Sequence, residues 1–182
     1  DADCTFFDSQ VPPATVQIVK AADPADGTEF GFTAQGAEGG VLAPDRTFTL
    51  TPDGDIDVKT LTVYPTESGE QFTFAEPTVP ADWKLTGIAC VDGGTPVGTP
   101  DFTAAGGHVD VAIEPGATIT CTFSNTKDAT LTVIKEAPDD PQKSFDFLWN
   151  ADTPATFSLK DQQTNQATGL AAGSYEVQET DL

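Results

Sequence analysis

The sequence has no methionine, one histidine, two tryptophans, two tyrosines and three cysteines in 182 residues. Lys and Arg together number 8, against 29 Asp and Glu, for a formal net charge of −21. Each shortage removes a class of function. A lone His108 and the lack of any Cys-x-x-Cys pair leave no ligand set for zinc. So acidic a chain repels the phosphates of nucleic acid and the headgroups of anionic lipid, so neither is expected as a partner. No apolar run is long enough to cross a bilayer as a helix, so direct membrane insertion is not expected. No secretion signal opens the sequence, and Asp1 reads as an end left by processing. A nucleophile elbow, a Gly-rich phosphate loop and a paired-carboxylate signature are all missing, so no enzyme with turnover is expected and no cofactor is called for. The acidity reads as solubility in an external, salty medium, with divalent-cation binding as the competing reading.

What the chain does contain is Val, Phe, Leu, Ile and Ala among abundant Thr, Gly and Pro, a mixture that favours strands and turns over helices. It also repeats itself. Thr15-Val-Gln-Ile-Val-Lys20 is echoed by Thr130-Leu-Thr-Val-Ile-Lys135, and Cys4-Thr-Phe-Phe-Asp8 by Cys121-Thr-Phe-Ser-Asn125. Internal repeats point to a modular, extended protein. Residues 1–13 read as a strand with a Val-Pro-Pro linker, residues 14–127 as one complete repeat, and residues 128–182 as a partial second repeat. In the complete repeat, strands are expected over 15–20, 28–34, 46–51, 58–64, 70–76, 83–90, 108–114 and 117–125. Turn signals separate them, among them Pro52-Asp53-Gly54, Asp92-Gly93-Gly94 and Glu114-Pro115-Gly116. The second repeat covers counterparts of the first five or six. Many short strands at regular spacing predict an all-β, antiparallel, immunoglobulin-like sandwich.

Alternate residues of a strand share a face. Read that way, each inward apolar stripe ends in a polar residue: Val16, Ile18, then Lys20; Phe72, Phe74, then Glu76; Ile119, Cys121, Phe123, then Asn125. The second repeat does the same with Leu131, Val133, Lys135 and with Tyr175, Val177, Glu179, and the N-terminal strand with Cys4, Phe6, Asp8. A lone buried charge is costly, so these groups are expected to meet one another.

The order Lys20, Glu76, Asp82-Trp83-Lys84-Leu85, Ser124-Asn125-Thr126, together with Lys135 and Gly173-Ser-Tyr-Glu-Val-Gln-Glu179, resembles the SpaA-like and Cna B-type domains of bacterial surface adhesins and pilins. Glu70-Gln71-Phe72 departs from the Gly-x-Tyr of that pattern. The resemblance implies tandem prealbumin-like Greek-key sandwiches and a self-made amide. In that chemistry a neutral Lys20 amine attacks the side-chain carbonyl of Asn125. A protonated Glu76 hydrogen-bonds that carbonyl and moves protons, and ammonia leaves. Phe30, Phe32, Phe74 and Phe123 are candidates for the apolar shell that holds both groups uncharged.

Asp8 stands in the register of Asn125, and an Asp serves as the same acyl partner with water leaving instead of ammonia. Lys135 and Glu179 have no last strand after them within the 182 residues. Two readings follow. Either residues 1–10 of one molecule complete the second repeat of the next, head to tail, with a Lys135–Asp8 amide and Glu179 as proton carrier, or the sequence is a window on a longer protein.

Cys90 and Cys121 suit a cross-strand disulfide in an oxidising exterior; Cys4 stays free or finds a partner in another chain. Asp53-Gly-Asp-Ile-Asp57 resembles an acidic calcium loop but lacks the distal Glu, and reads first as a hairpin turn. Trp83 and Trp149 read as core rather than as sugar platforms. Taken together, the sequence reads as an extracellular structural protein: a stalk or filament subunit of a microbial surface, partnered by its own copies or other surface proteins. The alternative is a module that binds glycan or host protein within a longer adhesin.

Overall fold

A computed structural model describes residues 11–36, 45–152, 155–171 and 173–180. The described residues form strands and turns with no helix. The chain divides into two compact units between Thr126 and Lys127.

The first unit contains β1 (Ala14–Asp23), β2 (Phe30–Gln35), β3 (Thr47–Leu50), β4 (Asp57–Val63), β5 (Glu70–Glu76), β6 (Trp83–Asp92), β7 (Thr95–Val97), β8 (Thr99–Thr103), β9 (Gly106–Ile113) and β10 (Thr118–Lys127). They make two five-stranded sheets, ordered β4-β1-β10-β6-β7 and β3-β2-β5-β9-β8. The alternating stripes explain the packing. Val16, Ile18, Leu61, Val63, Ile119, Cys121 and Phe123 line the inner face of the first sheet. Phe30, Phe32, Phe72, Phe74, Val109, Val111 and Ile113 line that of the second, and all belong to one buried core. Trp83 is in that core too, edge-to-face on Phe30 with ring centroids 5.1 Å apart. A Cys90–Cys121 disulfide links β6 to its neighbour β10.

Two expectations need correction. Not every pair is antiparallel: β1 runs parallel to β10, with Val16 opposite Ile119, Ile18 opposite Cys121 and Lys20 opposite Phe123. An alternating stripe specifies a buried face but not the direction of the neighbouring strand. The sequence reading also missed β7 and β8, in Thr95-Pro-Val-Gly-Thr-Pro100, because its prolines and glycine read as loop. Both are the outermost strands of their sheets, where a proline leaves no ladder partner unsatisfied.

The second unit contains β11 (Ala129–Ile134), β12 (Phe145–Trp149), β13 (Thr156–Leu159), β14 (Thr164–Leu170) and β15 (Val177–Glu179). β11 pairs with β14, and β12 lies between β13 and β15. These pairings repeat β1 with β4 and β2 between β3 and β5. The unit thus holds half of each sheet, and among its described residues nothing occupies the place of β10 beside β11. The consequence shows in burial. Trp149, Ala167 and Leu170 form a small core, with Phe157 packed on it. The expected inward stripe of Tyr175 and Val177 is exposed instead; among the described residues β15 pairs only with β12.

Candidate functional site

Lys20, Glu76 and Asn125 come together in the first unit. Lys20 continues the inward face of β1, Glu76 ends that of β5 in the opposite sheet, and Asn125 lies near the end of β10, so two sheets and three strands converge on one point. Lys20 and Glu76 are fully buried and Asn125 is 2% exposed. Lys20 Nζ donates to Asn125 Oδ1 at 2.5 Å, and Asn125 Nδ2 donates to Glu76 Oε1 at 2.5 Å. Glu76 Oε2 lies 3.4 Å from Nζ and accepts no hydrogen bond. Weaker bonds run from Nζ to the carbonyls of Phe123 and Ala21, each 3.3 Å.

The surroundings are apolar. The ring of Phe30 sits under Lys20, with Nζ 4.3 Å from its centroid, and Phe32, Phe74 and Phe123 are buried in the same core. Burial lowers the Lys20 pKa from 10.5 to about 8, against the opposing pull of the Glu76 charge. Burial likewise raises that of Glu76, opposed by Lys20 and by the Asn125 bond. Both shifts favour the uncharged forms.

The amide is oriented differently from the sequence-derived mechanism: its nitrogen, not its carbonyl oxygen, faces Glu76. The donor inventory explains this. A Lys amine side chain offers donors and takes the oxygen; a carboxylate accepts and takes the NH2. With a C=O bond of about 1.23 Å, the 2.5 Å contact holds Nζ no more than about 3.7 Å from the carbonyl carbon, so a small approach brings it to the roughly 3–3.5 Å of a near-attack geometry. One carboxyl group thus spans both ends of an acyl transfer, with one oxygen near the nucleophilic amine and the other on the departing nitrogen.

The second unit holds a partial version. Lys135 Nζ lies 3.1 and 3.0 Å from the two oxygens of Glu179. It also sits 3.9 Å from the centroid of the Phe145 ring, which Lys143 approaches at 4.6 Å. Unlike their buried counterparts, the Lys135 and Glu179 side chains are 15% and 29% exposed. No Asn or Asp strand faces them among the described residues. Asp8 and Cys4, expected to supply it, lie outside the described residues. The sequence reading missed Phe145, although it follows Lys135 at the same interval as Phe30 follows Lys20. It also missed Glu70, which is buried and accepts from the backbone and hydroxyl of Thr66 at 2.5 and 2.9 Å.

The acidic run at 53–57 is a turn. Gly54 has φ +76°, and Asp55 and Asp57 accept backbone amides of Ile56, Val58 and Thr51. Among the described residues no three His, Cys, Asp or Glu side chains gather to hold a metal.

A family model described as a prealbumin-like fold domain, of the SpaA type, matches residues 16–127. A comparison with curated protein sequences gives no match. Among solved structures, the chain is similar to the major pilin protein T3.2 of Streptococcus pyogenes: 15% identity, 93% of this chain and 83% of that one covered, TM-score 0.38. It is also similar to the T-13 major pilin of the same species, at 15% identity, 92% and 82% coverage and TM-score 0.37.

Proposed function

Because the chain belongs to the SpaA-type family of prealbumin-like fold domains, we propose that it is a load-bearing structural module of an extracellular microbial surface, a stalk or filament subunit whose first unit welds its own first and last strands. The reaction is one self-modification per molecule. Nζ of neutral Lys20 attacks the side-chain carbonyl carbon of Asn125, the carbon–Nδ2 bond breaks, and ammonia leaves. Glu76 takes the proton from Nζ on one oxygen and delivers one to Nδ2 from the other. The single observation that supports this is the closed, buried contact of the three side chains.

The topology gives such a bond a purpose. The chain enters β1 at Ala14 and leaves β10 at Lys127, and the two strands lie side by side and parallel. Tension on the two ends therefore loads the pair in shear. An amide between residues 20 and 125 passes that tension through Ala14–Lys20 and Asn125–Lys127 and spares everything between. Copies associate head to tail, a strand of one adding to the edge of β11 that is unpaired among the described residues of the next, which builds a filament because the contact does not close on itself.

Pulling single molecules by their ends tests the mechanical reading. The expected result is that the native first unit gives no unfolding step up to forces that break the second, while Lys20→Ala extends. Full extension of the native unit would overturn it.

A further inference from the structure

Resting on the reading of a Lys20–Asn125 weld, we infer that Gly106 is a positioning residue for it, through which the turn between β8 and β9 sets the reach of Glu76 to the other two groups. Lys20 and Asn125 belong to one sheet and Glu76 to the other. Their contact therefore depends on what fixes the separation of the sheets at that end of the sandwich. The turn at residues 103–107 does this. Gly107 pairs with Glu76 itself, and Gly106 pairs with Thr103 across the hairpin. The carbonyl of Ala105 accepts from the amide of Val79, just past Glu76 in the chain, at 3.2 Å. That of Ala104 accepts from the amide of Leu85 at 3.0 Å. Leu85 lies in β6, next to the β10 strand that carries Asn125. The turn thus straps the end of β5 to the opposite sheet, one strand away from the acyl partner.

Only glycine fits this strap. Gly106 has φ +142°, a conformation that residues with a Cβ rarely adopt. A Cβ there would lie 2.6 Å from the carbonyl oxygen of Pro77 and 2.8 Å from that of Glu76, where ordinary contact begins at 3.4 Å. The Glu76–Pro77 backbone would have to retreat by more than about half an ångström to make room. Gly107 is confined as well, since a Cβ there would meet Phe102 and come 2.7 Å from the Asp101 carbonyl oxygen. The hairpin therefore has little room to take up the shift. Glu76 bridges the Lys20 amine at 3.4 Å and the Asn125 amide at 2.5 Å, and a misplacement of about 1 Å costs on the order of a hundredfold in rate. Gly98 offers a contrast. It has φ +81°, and its Cβ would meet Asp110, Val109 and Val111 at 3.0 Å, but it lies where the chain crosses between the outermost strands β7 and β8.

The test follows ammonia loss by intact mass in the full chain, pulse-labelled in cell-free synthesis under oxidising conditions and sampled through a chase. The native chain is compared with Gly106→Ala and Gly98→Ala, each checked for folding by circular dichroism. Gly106→Ala is expected to weld roughly tenfold more slowly or worse. The acid limb of its pH–rate profile should also move toward the ordinary carboxylate range, as water reaches Glu76. Gly98→Ala, strained in the same way, is expected to keep about the native rate. A Gly106→Ala chain that welds at the native rate with an unmoved profile overturns the inference. So does equal slowing in both variants, which would report general weakening of the fold. If Gly106→Ala does not fold, Thr103→Val takes its place. It removes the hydroxyl that accepts the Ala105 amide at 3.3 Å and is expected to slow welding roughly threefold, a native rate again overturning the strap. A native chain that never loses ammonia brings down the weld and the strap together, whereas a native chain that welds beside an unaffected Gly106→Ala brings down the strap alone.

Discussion

Glu76→Gln removes the proton carrier while keeping the shape of the cluster, since the new amide oxygen still accepts from Asn125 Nδ2. The weld should not form. The lost cross-link spans 105 residues, and the Cys90–Cys121 disulfide shortens that loop by a 31-residue span. Loop length enters logarithmically, so the loss still comes to roughly 4–5 kcal/mol. Lys20 then remains a free amine in an apolar pocket without an acid beside it. Against the ordinary value of 10.5, keeping it neutral at pH 9 costs roughly 2 kcal/mol more, at 1.36 kcal/mol per pKa unit. For a unit of this size the total lowers Tm by about 20–30 °C, taking about 4 °C per kcal/mol. Calorimetry at pH 9 reads the shift, and intact mass reads whether ammonia was lost. A Glu76→Gln chain that still loses ammonia, or that melts within a few degrees of the native chain, refutes the role given to Glu76.

The pH dependence of welding follows from the two shifts. The reactive pair shares one proton, so the rate after refolding should be bell-shaped, with its acid limb above the ordinary carboxylate value and its alkaline limb near 8. A rate that climbs steadily past pH 9 contradicts it. In Asn125→Ala, which keeps both groups unwelded, the folded Lys20 binds its proton less tightly than the unfolded one. Stability should therefore rise with pH between about 8 and 10.5, and urea titrations across that window check the sign. Lys135→Ala should cost less than about 1 kcal/mol by denaturant titration, because its pair with Glu179 is partly open to solvent. Trp83→Ala should cost about 3–5 kcal/mol and slow welding too, since Trp83 packs on the Phe30 ring beneath Lys20.

Much of the site was legible because burial of a polar residue breaks a pattern. Val16-x-Ile18-x-Lys20 and Phe72-x-Phe74-x-Glu76 each run an apolar stripe into a charge, and parity alone aims both charges inward. Two things were not encoded that way. Which way β10 runs beside β1 depends on the whole Greek-key path, and the Asn125 amide orientation depends on which neighbour donates and which accepts. In the second unit parity misled. Tyr175 and Val177 keep the alternation of an inward stripe, yet among the described residues nothing covers them and both are exposed.

The most direct measurement is tandem mass spectrometry of the digested native protein, read with its intact mass. The account predicts a chain lighter than its sequence by one ammonia per first unit, beyond the disulfide, and a cross-linked peptide pair joining Lys20 to Asn125. A chain of full mass, with Lys20 and Asn125 recovered in separate unmodified peptides, would contradict it.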